Sequence, residues 1–253
     1  MEPTTIFLSA CVIVLIYMVY YTYTFNATLL LSSVSPANSP ITISPPVPVS
    51  GSLSSSFTFS IWINVNDWNV NSGFYKNIIS YGNSVFISLA PTTNDIVVSF
   101  VNKSNIIIKN TVINNVPLQM WVHLAFSLNG QTLDTYLNGK LVKTTLISTG
   151  SYGIPTSQDT ITLGGSNTKP AKCGVDDTIP GCGSAYLVKA TANPGFSGWV
   201  TQFQYAPTGS DPQTIWNIFQ QGNGTNMFSN FFGNYGLSVA LTNNGVAQNT
   251  ISI

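Results

Sequence analysis

The sequence predicts an all-β protein, a two-sheet antiparallel sandwich of jelly-roll type with one short helix, preceded by an apolar N-terminal helix. Three observations carry that prediction. Short runs of alternating apolar residues recur between Phe57 and Ala206, the period-two signature of strands with one buried face. Two Asn-Gly pairs, Asn129-Gly130 and Asn138-Gly139, lie nine residues apart between such runs, and Asn-Gly supplies the positive φ that two-residue hairpin loops require. Clusters of Gly, Pro, Asn and Ser separate the runs at the spacing of a sandwich, not of a helical or α/β protein.

The two Asn-Gly pairs make residues 121–142 a three-stranded meander. With each pair at the centre of its loop, Phe126 lies opposite Leu133 and Val122 opposite Leu137. Val122, Leu124, Phe126, Leu133 and Leu137 then share a buried face. The other face carries Trp121, His123, Tyr136 and an Asp134–Lys143 pair across the second hairpin.

At the N-terminus, residues 6–21 form an apolar run broken only by Ser9. A span of ~30 Å of hydrocarbon takes ~20 residues, and Tyr17, Tyr20, Tyr21 and Tyr23 suit an aromatic belt. The reading is a single-pass anchor in residues 1–31. A cleaved signal peptide would want Lys or Arg before the apolar core, where only Glu2 stands. A lipobox at Cys11 lacks the same positive residues, and a buried core helix competes with the anchor for so apolar a run. Without Lys or Arg at either end, the orientation is not fixed.

Residues 32–56 are rich in Pro and Ser, which predicts a semi-rigid spacer, with residues 41–49 as an alternative edge strand. The sandwich domain is placed at 57–222. Phe57, Phe59, Ile61 and Ile63 alternate with Thr58, Ser60, Trp62 and Asn64, and further strands are expected near 76–81, 84–90, 95–101 and 104–113. Asp211 as cap, Pro212 at the first position, an apolar stripe of Ile215, Trp216, Ile218 and Phe219, and Gly222 at the end predict a helix. Residues 223–253 form a loop and a last hairpin around Asn244-Gly245.

The order Trp121-x-His123-x-Ala125, then Tyr136-x-Asn138-Gly139-Lys140, resembles the laminin-G-like domains of the concanavalin A-like lectin/glucanase superfamily. Phe57–Ile63, Ile78–Gly82, Ile161–Gly165 and Phe196–Ala206 follow in the family's order, so the resemblance covers residues 53–221. It implies a jelly roll with a structural histidine at 123 and a short helix near 212. Glycan-cutting relatives use two Glu residues on one strand, whereas this chain has a single Glu, Glu2.

Composition narrows the function. Charged residues make up 6%, eight acidic and eight basic, and every basic residue is Lys. Nucleic acid, which needs a basic stripe to displace counterions, is excluded. A glycosidase needs two carboxyls ~5 to 9.5 Å apart, and no strand carries two alternating Asp, so no catalytic residue and no cofactor is expected. His123, the only histidine, supports no His-rich metal site. Cys173 and Cys182 are expected to close a short loop by a disulfide, which implies an oxidising compartment; two free thiols are the alternative. Asp176 and Asp177 are weak calcium candidates with too few companion oxygens. Sequons mark Asn26, Asn102 and Asn223, of which Asn102 and Asn223 are glycosylation candidates.

A sugar-binding face would use Trp62, Trp68, Trp121, His123 and Tyr136, unless these only pack beneath loops. Scarce charge and an Asn/Ile/Lys bias lead to the expected role of a non-enzymatic, membrane-anchored structural protein, a minor capsid or virion membrane protein of a large DNA virus. Its partners would be membrane and capsid proteins, and it would sit on the virion or cell surface. The alternative is a surface lectin binding glycans, and a glycoside hydrolase stands behind both.

Overall fold

In the computed structural model, placement is described for residues 13, 28–46, 56–104, 106–147, 152–156, 159–165, 172–173, 194–224, 238–243 and 246–252. Two seven-stranded sheets enclose one core. The first runs β1 (Thr28–Leu31), β14 (Ser197–Ala206), β4 (Phe57–Asp67), β9 (Trp121–Asn129), β10 (Thr132–Leu137) and β11 (Lys140–Leu146), with β2 (Ser35–Pro36) also on β14. The second runs β13 (Lys172–Cys173), β8 (Ile106–Ile113), β7 (Ile96–Val101), β6 (Val85–Leu89), β5 (Lys76–Tyr81), β12 (Ile161–Leu163) and β3 (Ile41–Ile43). All the pairings in both sheets are antiparallel except β13 with β8. A separate hairpin pairs β15 (Ser238–Asn243) with β16 (Val246–Ser252), flanking Asn244-Gly245 as the turn chemistry predicts.

The core forms because each inward face is apolar at every second residue. Phe59 sits at its centre, with ring centroids 4.6 Å from Phe57, 5.9 Å from Phe203 and Tyr205, and 5.8 Å from Tyr81 of the opposite sheet. Burying one such ring contributes roughly 1.5–3 kcal/mol. The four strands expected near 76–113 stand where periodicity puts them.

The sandwich starts earlier than its composition suggests. Thr28–Leu31, assigned to the anchor, pairs with β14, and Ser35–Pro36 and Ile41–Ile43, assigned to the spacer, join one sheet each. Ala37 between them is fully buried. Pro36 is tolerated because its strand is an edge, where no ladder donor is needed. The remainder of the expected anchor, apart from Ile13, lies outside the described residues, among which no helix is long and apolar enough to cross a membrane.

The meander is present with a shifted register. Thr132 pairs with Asn129, so the first loop is Gly130-Gln131, and Leu133 faces Leu128 while Leu137 faces Leu124. Gly130 alone of the loop pair has positive φ, at 58°, the pattern of a II′ turn rather than I′. Moving a loop by one residue shifts the partners by two, an even step, so the apolar set keeps its face. The second loop is Asn138-Gly139 as expected, with φ of 49° and 74°. Between Thr135 and Tyr136 the ladder slips, which sets Lys143 beside Thr135 and Thr144 beside Asp134. The expected Asp134–Lys143 pair is therefore replaced: Thr144 Oγ1 donates to Asp134 at 2.6 Å, and Lys143 Nζ donates to the Val112 carbonyl at 3.2 Å.

Candidate functional site

The outward face of the first sheet is covered in part by helix α1 (Pro212–Gln220). Asp211 caps it, accepting from Thr214 N at 2.9 Å and Thr214 Oγ1 at 2.9 Å. These hydrogen bonds hold its carboxyl below the usual range. Pro212 opens the helix, and Gly222, at φ 76°, follows its end. Ile215 and Ile218 pack on Ala125 and Tyr136. Gly139 lets the second hairpin approach closely, since a Cβ there would stand 2.9 Å from Phe219 and Trp216.

This helix covers three of the five predicted sugar-binding residues. His123 and Tyr136 are fully buried and Trp62 is 9% exposed. Trp62 stacks on Phe219 with centroids 5.6 Å apart and planes 18° from parallel. The His123 ring lies 5.2 Å from Trp62 and 5.7 Å from Phe219. Outward-facing positions on β4 and β9 are thus interior ones, and β4 is buried on both faces along most of its length.

His123 Nε2 shares a hydrogen bond of 2.8 Å with Ser60 Oγ. A serine nucleophile with a histidine base needs a third group to orient the base, and here Nδ1 is buried with no partner. Burial also drives the imidazole down to about 3, far from the near-neutral value a general base wants. Ser60 is sealed as well. This pair is a structural link between neighbouring strands. The Tyr136 phenol, with no partner, is pushed up to about 12, chiefly by burial.

Trp68 turns back toward the molecule. The ammonium of Lys76 stands 4.6 Å from its ring and donates to the Ala90 carbonyl at 3.4 Å. Lys76 is fully buried, and burial lowers its amine to about 8. The strand pattern of residues 76–81 gives no sign of this cation, since Lys76 simply occupies the first position of an otherwise buried strand.

Beyond the helix the same face opens. Strand pairing aligns Pro36, Trp199, Asn64 and Trp121 in one row across β2, β14, β4 and β9, and directly paired residues share a face. Trp199 is 41% exposed, Pro36 is exposed, and Trp121 and Asn64 are half-buried. Asn64 Oδ1 is shielded and accepts no hydrogen bond, an arrangement that costs about 1–3 kcal/mol until a donor arrives. Gly198 makes the row possible, because a Cβ there would collide with the Asn64 carbonyl. Of this row the sequence pattern singles out Trp121 but neither Trp199 nor Asn64. Trp216, 38% exposed, stands on the helix instead, 5.4 Å from Phe219.

Among the described residues no three of His, Cys, Asp and Glu cluster as metal ligands do. Cys182, Asp176 and Asp177, and the side chain of Cys173, lie outside the described residues. Asn102 occupies the β7–β8 turn, where its Oδ1 accepts from Ser104 N at 3.0 Å and Ile106 N at 2.9 Å. Asn223 follows α1, and Thr225 of its sequon is outside the described residues.

A family model described as the concanavalin A-like lectin/glucanases superfamily, of laminin-G type, matches residues 37–179. None of the curated proteins matches the chain. Among solved structures it is similar to the botulinum neurotoxin serotype D ligand binding domain in complex with N-acetylneuraminic acid, at 11% identity and TM-score 0.52, over 79% of this chain and 52% of that one. It is also similar to the binding domain of botulinum neurotoxin DC in complex with SialylT, at 18% identity and TM-score 0.50, over 79% and 48%. The chain spans about half the length of these domains. At such identities the likeness is one of fold.

Proposed function

We propose that this chain, which belongs to the concanavalin A-like lectin/glucanase superfamily, is a non-enzymatic carbohydrate-binding protein that holds sugar on the row Trp199, Asn64 and Trp121. The observation that carries this reading is the exposed Trp199 indole set in one sheet row beside an unpaired amide oxygen and a second tryptophan. Indole faces stack on the apolar face of a pyranose, and amides read its hydroxyls. The sugars in the neighbouring toxin domains support carbohydrate as the ligand class. The sealed Ser60–His123 pair and the lone Glu2 support binding without bond cleavage.

The membrane-to-capsid role expected from composition finds no support in the family or the fold, and the carbohydrate reading replaces it. In this reading the apolar leader tethers the binding domain to a membrane; release of the chain by alkaline extraction of membranes would refute that tether. The binding claim is tested by a glycan array with the full chain and with Trp199→Ala. Hits that the variant loses are expected. An array without hits, or hits that Trp199→Ala retains, would reject the site.

A further inference from the structure

We infer that the row selects an uncharged oligosaccharide at least two sugar rings long, and that it rejects the acidic sugars seen in the structurally similar toxin domains. This inference rests on the carbohydrate reading and narrows it to a ligand class.

The first ground is charge. An acidic sugar needs a cation for its carboxylate, because charge-assisted hydrogen bonds give the strong contacts and a carboxylate desolvated without one is costly. The chain has no Arg. Pro36 ends the row and Thr201, Trp62 and His123 form the next one, and His123 is sealed and held neutral across the physiological range. Lys76 is buried against Trp68, and Lys143 is committed to the Val112 carbonyl. Lys140 lies on β11, at the far edge of the sheet, and Lys103, Lys109 and Lys172 belong to the other sheet, on the β7–β8 turn, β8 and β13, while Lys169 and Lys189 lie outside the described residues. The ionised group nearest the row along β4 is Asp67, three residues beyond Asn64 and facing Ser197. Its negative charge opposes a second one.

The second ground is spacing. Trp199 and Trp121 lie on the two strands flanking β4, so their Cα atoms stand ~10 Å apart. That separation is too wide for one ring to stack on both indoles and about the length of a disaccharide. One sugar on each indole leaves the linkage and its flanking hydroxyls over Asn64. Its amide, rotating about a broad terminal torsion, turns the unpaired oxygen to accept from a hydroxyl. With no cation beside it among the described residues, the row reads a neutral chain.

The test uses the full chain against matched probes: lactose and N-acetyllactosamine oligomers, cello- and chito-oligosaccharides, their monosaccharides, and sialyllactose with sialyl-N-acetyllactosamine. Calorimetry is expected to show at least one neutral series binding, with the disaccharide or longer member at least tenfold tighter than its monosaccharide. Sialylation of the same core should weaken binding or leave it absent. Trp121→Ala should remove the length dependence while leaving the thermal midpoint close to that of the unaltered chain. Tighter binding of the sialylated forms, lost on Trp199→Ala, would overturn the neutral selectivity and leave the carbohydrate reading standing. Equal affinity for monosaccharide and oligomer would overturn the two-ring footprint. Binding of no probe in either class would end both readings.

Discussion

Two stretches of one sheet face carry similar residues and have opposite fates. Trp62 and His123 form one row across β4 and β9, and Asn64 and Trp121 form the next. The first is roofed by Phe219 of α1 and excludes water, whereas the second, extended by the exposed Trp199, lies beyond that helix and is covered by no other described element. Residue type and strand alternation are the same in both. What separates them is a nine-residue helix placed by tertiary packing, so whether an aromatic residue on an outward position is sealed depends on where that helix lands.

Removing the cover breaks the comparison most severely. Ile218→Ala deletes a buried contact between α1 and the Ala125–Tyr136 patch and is expected to cost about 2–5 kcal/mol in denaturant unfolding. If the helix merely rested on the sheet, the loss would stay below 1 kcal/mol. On the open row the effect should fall on affinity alone. Trp199→Ala is expected to weaken glycan binding about tenfold with little change in unfolding, because its ring is largely outside the core.

The buried Lys76 sharpens the contrast between covered and open tryptophans. Its folded value, about 8, lies below the ordinary 10.5. Between those values the unfolded chain binds more protons, so stability rises with pH across that window, and the penalty of the buried charge is fully present below pH 8. Lys76→Met is therefore expected to stabilise by roughly 1–3 kcal/mol at pH 7. The gain should shrink as pH approaches 10. A gain independent of pH would show that the amine is not the origin. The smallest effect is expected at the cap: Asp211→Ala removes two hydrogen bonds to Thr214 and should cost about 1 kcal/mol, read as a lower thermal midpoint.

Much of the sandwich is legible in the sequence because its information is local. Alternation marks β4 through β8, Asn-Gly marks the hairpins, and Asp211, Pro212 and Gly222 bracket the helix. What escapes is non-local. Nothing near Asp211 says that its helix will land on Trp62 and His123. Residues 28–31 look like a membrane end because they are apolar and 32–43 like a spacer because Pro and Ser are frequent there, with an edge strand foreseen only as the alternative for 41–49; short edge strands need few side chains in the core. Trp199 is hidden by a bulge: the ladder slips between Thr201 and Gln204, which puts Val200, Phe203 and Tyr205 all in the core and breaks the alternation that would have marked Trp199 as outward. The Asp134–Lys143 pair is lost to a slip of the same kind in β11, where Val142 is passed over between the partners of Thr135 and Tyr136.

The most direct measurement is an indole NMR titration. The five tryptophans, 62, 68, 121, 199 and 216, each give one Nε1–H resonance, and a neutral oligosaccharide that binds can be added stepwise. The open-row account predicts shifts at Trp199 and Trp121, with Trp62 and Trp68 unmoved. Shifts centred on Trp62, or confined to Trp216, would contradict it.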